Sequence, residues 1–382
     1  MSAYDIFLFD LNYDEQESNA VQKVLASKWI SAGNECRELE REFALMHGLP
    51  HAVTVSSCTS ALTLALHLAG IGPGDEVIVP SLTFVATVNP VHWAGAIPVF
   101  ADVVSFDDWT ICPNDVEKKI TPKTKAIIGM HYGGFLCDMR RLRTIADSHG
   151  ICLIEDSAHA VDATREDYSV GKLGDYACFS FYSNKNVSAG EGGILTCHEA
   201  KDAERARRLR SHGLTTSAFD RARGAAIYSV EEPGYNFRMD DIRGALGRVQ
   251  LGKFPEDREK REIIYEHYLK NLSTIKGVSI PFTSYVGRSG FHVFVIQVGK
   301  GLRQELADHL RGHHIQSSYH YTPVHHMGFY LQDPPVKLEI TDALEESIIT
   351  LPFHRNLALS DVNRICDAIG EFMAMQNKSK EA

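Results

Sequence analysis

The chain has no C-x-x-C pair, no apolar run long enough to cross a bilayer, no block of basic charge and no internal repeat or low-complexity segment. Each absence removes a class of protein. The eight cysteines (Cys36, Cys58, Cys112, Cys137, Cys152, Cys178, Cys197 and Cys366) are scattered through strand-like and helix-like stretches, so they read as reduced core residues of a cytosolic protein. No stretch reaches the ~18 continuous apolar residues of a membrane span. The acidic N-terminus, MSAYDIFLFDLNYDEQES, has no basic region ahead of an apolar run, so a secretory signal is not expected. Lys and Arg number 39 against 49 Asp and Glu, a net charge of −10, which argues against a nucleic-acid or anionic membrane partner. A phosphate ligand stays possible, because it needs only a local nest of amides.

What is present is an ordinary globular composition, 44% hydrophobic and 23% charged, over 382 residues. That length suits two domains, or one large domain with a smaller appendage. Residues 14–46 have a helical pattern broken near Ser31-Ala32-Gly33-Asn34. A long alternation follows, with strands expected at 52–57, 76–80, 98–102, 126–130, 151–155, 176–181 and 193–196. Helices are expected between several of them, among them one opening near Thr59, one over 86–93 and one over 139–149. Short, wholly apolar strands alternating with helices predict an α/β fold with a mostly parallel sheet covered on both faces. Composition shifts near residue 250. A charged amphipathic helix over 254–272 is followed by expected strands at 277–280, 291–296 and near Ile315, and by helices over 302–311 and 361–375. This predicts a large domain over 1–250 and a smaller α+β domain over 251–382, with a polar, frayed tail from Asn377.

In such sheets ligands collect at the carboxyl ends of the strands. Asp156 ends one expected strand, Ser180 ends another, and Lys185 follows five residues later, ahead of Gly190-Glu191-Gly192-Gly193. Acid, serine and lysine in that order point to pyridoxal phosphate (PLP): the lysine as Schiff-base amine, the serine at the phosphate, the acid beside the pyridinium nitrogen. PLP withdraws electrons well only while that nitrogen is protonated, and a neighbouring carboxylate keeps it so. Ser56-Ser57-Cys58-Thr59-Ser60 opens a helix whose N–H groups favour an anion, although an ordinary cap uses the same residues. Phe84, after a buried strand, could stack on a flat ring. The histidines around His320, His325 and His326 match no zinc spacing, so no metal is expected.

These segments resemble the DegT/DnrJ/EryC1 class of PLP-dependent sugar aminotransferases, within fold type I. The carriers include VSSCTSALTLAL, VIVPSLTFVATVNPV, HYGGFLCDM, IEDSAHA, GDYACFSFYSNKN, GEGGILT, GYNFRMDDIRGALGRVQL and HYTPVHHMGFY, in order along nearly the whole chain. The resemblance implies a seven-stranded, mostly parallel sheet between helices. It implies Lys185 as the Schiff-base lysine, Asp156 as the pyridinium partner and His159 near the ring oxygen. It further implies Cys58, Thr59 and Ser180 in the phosphate cup, Phe84 on the ring, and Asn236 reaching the phosphate from a neighbouring subunit, hence a homodimer. His320, Tyr321 and His326 would border the sugar mouth. Cys58 departs from the small residue usual there, although its amide can still serve. Relatives with histidine in place of this lysine dehydrate sugars, so Lys185 favours transamination. The expected reaction moves an amino group from L-glutamate to a nucleotide-linked keto sugar, for surface polysaccharide or a natural product. A free keto sugar acid or a cyclitol ketone remains an alternative acceptor, and a sugar dehydratase an alternative activity.

Overall fold

The apolar runs become strands because each can be buried on both faces at once. The protein is described by a computed structural model covering residues 4–224 and 227–381; Met1–Ala3, Ala225, Ala226 and Ala382 lie outside it. Strands β1 (His51–Val55), β2 (Glu76–Pro80), β3 (Ile97–Ala101), β4 (Thr124–Met130), β5 (Cys152–Asp156), β6 (Tyr176–Ser180) and β7 (Gly193–Cys197) form one sheet in the order β1-β7-β6-β5-β4-β2-β3. β7 is antiparallel to both its neighbours, and the run from β6 to β3 is parallel throughout. Alternate residues feed opposite layers. Leu153 and Phe179 join Phe43 and Leu142 on one side, while Ile154 and Cys178 join Leu62 and Val79 on the other. Each such aliphatic side chain, fully buried, contributes about 1.5–3 kcal/mol.

Three helices prepare the site. α1 (Glu15–Ser27) opens on a capping box, in which Asp14 and Glu17 satisfy each other's backbone N–H groups. α2 (Asn34–His47) buries Cys36, Leu39 and Phe43, and Gly48 ends it in the left-handed conformation. α3 (Cys58–Leu68) follows β1 directly, with the Ser57 hydroxyl accepting from Ser60 N. The expected helix over 86–93 is instead a 3₁₀ turn, Val85–Thr87, followed by a short helix, Asn89–Trp93, with Pro90 in its first turn. α4 (Met139–His149) and α5 (Ala200–Leu209) cover the sheet further on.

The largest departure from the sequence pattern is α6, which runs unbroken from Asp241 to Leu272 and so crosses residue 250. Gly244, Gly247 and Pro255 conceal its first half, since all three lower helix propensity. The two glycines are there for contact: a Cβ at Gly244 would come within 2.9 Å of Cys36 N, and one at Gly247 within 2.9 Å of Leu39. The far half of α6 supplies Ile264, Tyr268 and Leu272 to a separate core with Phe294, Leu310, Ile349 and Ile365.

That C-terminal core holds a two-stranded antiparallel sheet, β8 (Phe294–Gln297) with β9 (Ile348–Leu351), and helix α7 (Leu302–Gly312); α8 (Glu339–Leu344) instead puts Leu344 in a cluster with Trp109 and Tyr132, and α9 (Leu359–Glu381) returns to the C-terminal core. The strand expected at 277–280 reduces to a single bridge, Ser279 to Gln297, and the one near Ile315 to a bridge with Ile6. The tail expected to fray from Asn377 is helical as far as Glu381.

Candidate active site

Backbone register brings four strand ends to one place. Asp156 lies beside Met130 of β4 and Cys178 of β6, and Ser180 lies opposite Gly193 of β7. Gly193 also fixes the start of α3, because a Cβ there would fall 2.7 Å from Cys58 N and 2.6 Å from Ser57 C. Only glycine lets that helix terminus sit so close to the sheet. The Ser180 hydroxyl and the amides of Cys58 and Thr59 therefore share one corner, a helix N-terminus suited to an anion. Ser180 is buried, with Oγ accepting from Tyr182 N at 3.3 Å.

Asp156 is buried at the floor. Thr87 Oγ1 donates to Oδ2 at 2.7 Å, and Ala158 N donates to Oδ1 at 3.2 Å. Thr83 Oγ1 lies 2.6 Å behind Thr87 Oγ1 and completes the relay. Burial raises the Asp156 pKa, while Thr87, Ala158 and the Lys185 ammonium pull it back. A cationic ring nitrogen placed here would pull it down further. The Cys58 thiol points at the Cys178 carbonyl at 3.4 Å, and burial next to Asp156 keeps it protonated.

Lys185 sits in the turn after β6, with its N–H on Tyr182 O at 2.9 Å. Burial lowers its pKa to about 8 against the attraction of Asp156. Its Nζ lies 3.2 Å from His292 Nε2. The rest of the network fixes what His292 can do. Asn186 Nδ2 donates to the Gly290 carbonyl, so Asn186 Oδ1 faces His292 Nδ1 at 3.3 Å and must accept from it. His292 therefore carries its proton on Nδ1 and offers a lone pair to Lys185. Burial and the neighbouring Lys185 and His159 hold the His292 pKa well below 6.5, which agrees with a neutral ring.

His159 lies over the same space, its ring centroid 4.2 Å from that of His292. Gly133 N donates to its Nδ1 at 3.3 Å, so Nε2–H donates to Tyr321 Oη at 3.0 Å and the Tyr321 hydroxyl proton is left to face a ligand. Tyr321 also packs near Phe84, with ring centroids 5.9 Å apart. Phe84 is 56% exposed. The His320 carbonyl accepts from Tyr132 Oη, and His320 Nδ1 lies 2.9 Å from Thr350 Oγ1. Burial and Lys185 lower the His320 pKa to about 4.

Two expected residues stand apart. His326 is exposed, with Nδ1 on Glu345 Oε2 at 2.7 Å, away from this network. Asn236 is also exposed; the carbonyl of the next residue, Phe237, accepts from Ser56 N at 2.8 Å beside the start of α3. Sequence reasoning missed Thr87, Asn186 and His292. Thr87 lay inside a segment noted only for Phe84, Asn186 is next to Lys185, and His292 was absorbed into an apolar strand.

The corner, the floor carboxylate, the buried amine and the open aromatic fit PLP on all four sides. The family model described as the DegT/DnrJ/EryC1/StrS aminotransferase family matches residues 12–370, and the chain belongs to that family. It is a PLP-dependent aminotransferase of fold type I. It is 37% identical over 369 residues to the spore coat polysaccharide biosynthesis protein SpsC of Bacillus subtilis, covering 94% of this chain and 95% of that one. Among solved structures it is similar to S. venezuelae DesV, crystallised with a ketimine intermediate (34% identity, TM-score 0.89, 96% and 98% covered). It is also similar to the Streptococcus pneumoniae protein described as a sugar aminotransferase, Spr1654, in its PLP form (28% identity, TM-score 0.90, 97% and 99% covered).

Proposed function

We propose that the protein transfers the amino group of L-glutamate to a keto sugar carried on a nucleotide, working as a homodimer in the cytoplasm. The observation that carries the transamination is Lys185: a buried amine with its pKa lowered to about 8, seated on the lone pair of His292 beside Asp156. At pH 7 on the order of a tenth of such an amine is neutral and able to take a proton. PLP, when bound, supplies an aldehyde that condenses with amines and a protonated ring that draws electrons from the carbon being deprotonated. In this reading Asp156 holds the ring-nitrogen proton, with Thr87 and Ala158 steering the carboxylate. Ser180 and the amides of Cys58 and Thr59 hold the phosphate. Phe84 covers one ring face, and His159 lies on the ring-oxygen side. Lys185 moves the proton from the donor Cα, acting as base and then as acid. His320 and Tyr321 border the acceptor. Asn236 contributes to the phosphate site of the partner copy, which its exposure permits.

The sugar acceptor is supported by the relatives, whose names speak of spore coat polysaccharide and of sugar aminotransferase. The test incubates PLP-loaded protein with L-glutamate and a panel of UDP-, dTDP- and GDP-linked keto sugars. One 2-oxoglutarate should appear per aminated sugar nucleotide. Amination only of a free keto sugar acid or a cyclitol ketone offered beside that panel would contradict the acceptor assignment.

A further inference from the structure

Outside the PLP site, two histidines and a carboxylate converge on one point. His325 and His326 occupy a 3₁₀ turn, Val324–His326, anchored to the end of β2 by Val324 N on Ser81 O at 2.9 Å and His325 N on Ser81 Oγ at 3.2 Å. His325 Nδ1 lies 2.6 Å from Ser81 Oγ, and His326 Nδ1 lies 2.7 Å from Glu345 Oε2. Both rings thus engage an outer partner through Nδ1 and turn Nε2 inward. Both Nε2 atoms meet the same oxygen, Asp342 Oδ1, at 2.9 and 3.5 Å. Asp342 is itself held, because Leu338 N donates to Oδ2 at 3.2 Å.

We propose that His325, His326 and Asp342 form a divalent transition-metal site, best matched to zinc. Ligand bonds of about 2.0–2.1 Å in a tetrahedron place neighbouring ligand atoms roughly 3.3 Å apart. The three ligand atoms lie within 4.8 Å of one another, and the two separations to Asp342 Oδ1, 2.9 and 3.5 Å, fall on either side of the tetrahedral spacing. Two imidazole nitrogens with one carboxylate suit zinc better than magnesium or calcium, which prefer oxygen ligands. Ser81, Glu345 and Leu338 N supply the outer hydrogen bonds that orient metal ligands in such sites. His326 is exposed, so water can fill the fourth position. Adjacent histidines with the third ligand at position 342 follow no local spacing rule, which is why the sequence pattern gave no sign of metal. The ion would clip the segment carrying His320 and Tyr321 to α8 and to the end of β2.

The cluster His309, His313 and Glu371 on the outer face offers three ligand atoms as well, and it serves as the internal control. The experiment titrates EDTA-treated, PLP-loaded protein with zinc chloride by calorimetry, and follows the visible bands of cobalt(II) in parallel. The expected result is one zinc per chain with a Kd of about 1 µM or tighter. It should weaken at least tenfold in His326→Ala and in Asp342→Asn and persist in His313→Ala. Cofactor colour in each variant shows that it has folded. Wild-type protein that binds no zinc below ~100 µM, leaving only a histidine–carboxylate hydrogen-bond network, would overturn the proposal. So would binding that survives His326→Ala and Asp342→Asn but is lost in His313→Ala.

Discussion

Glu155 and Asp156 are neighbours at the end of β5, yet they face opposite sides of the sheet and do opposite work. Glu155 is saturated by fixed donors. His131 Nε2 at 2.9 Å and Gly171 N at 2.8 Å meet Oε2, and Gly174 N at 2.7 Å meets Oε1. Gly174 is required there, because a Cβ would fall 2.8 Å from Glu155 Cγ. Cys137 N donates to His131 Nδ1 at 3.2 Å, so this network closes on itself. Asp156 has one strong hydroxyl donor, one longer amide contact and a thiol 3.9 Å away. Its carboxylate keeps capacity for a further partner, and the buried amine of Lys185 stands nearby. A closed carboxylate network stabilises a fold; an open one beside a low-pKa amine awaits a ligand.

The contrast can be broken most sharply at the open side. Lys185→Ala should lower turnover by about 10²–10⁴-fold or more, the range for loss of a positioned proton carrier, with the fold intact by circular dichroism. Asp156→Asn should lower kcat by roughly 10²-fold with little change in melting temperature, since it removes charge beside the ring nitrogen and keeps shape. Glu155→Gln should show the reverse: turnover per folded molecule retained, and stability reduced by about 1–3 kcal/mol in urea titrations, because a fixed donor loses its acceptor. If Glu155→Gln cost activity and Asp156→Asn cost stability, the division of labour would be wrong.

Smaller effects sharpen it. His292→Asn should lower kcat about tenfold, near 1.4 kcal/mol, and move the basic limb of the kcat profile, as expected for a residue that positions Lys185. Cofactor-free protein should lose stability as pH falls from 6.5 toward 4. His320, with its pKa lowered to about 4, stays neutral in the fold across that window but takes up a proton on unfolding, and His159 and His292 act with the same sign. His320→Asn should flatten that slope in melting curves taken across the range.

Much of this was legible in the chain. The seven strands, the placement of Asp156 and Ser180 at strand ends and the α3 terminus follow from apolar runs ending in polar residues, a local signal. What escaped were partners distant in sequence or hidden by composition. His292 reaches Lys185 across 107 positions from inside an apolar stretch. Thr87 acts from a 3₁₀ turn in a stretch whose pattern reads as one continuous helix over 86–93. The first half of α6 contains glycines placed for close packing against α2, so propensity argued against it. β9 follows two glutamates, and its ladder partner is a strand more than fifty residues earlier.

The central claim is that Lys185 is the residue that bonds PLP. Borohydride reduction of the yellow PLP-loaded protein, followed by proteolysis and mass spectrometry, tests it directly. The account predicts a phosphopyridoxyl label on the peptide containing Lys185 and no label in Lys185→Ala. Labelling at another lysine, or wild-type protein that stays colourless and unlabelled with PLP in excess, would contradict it.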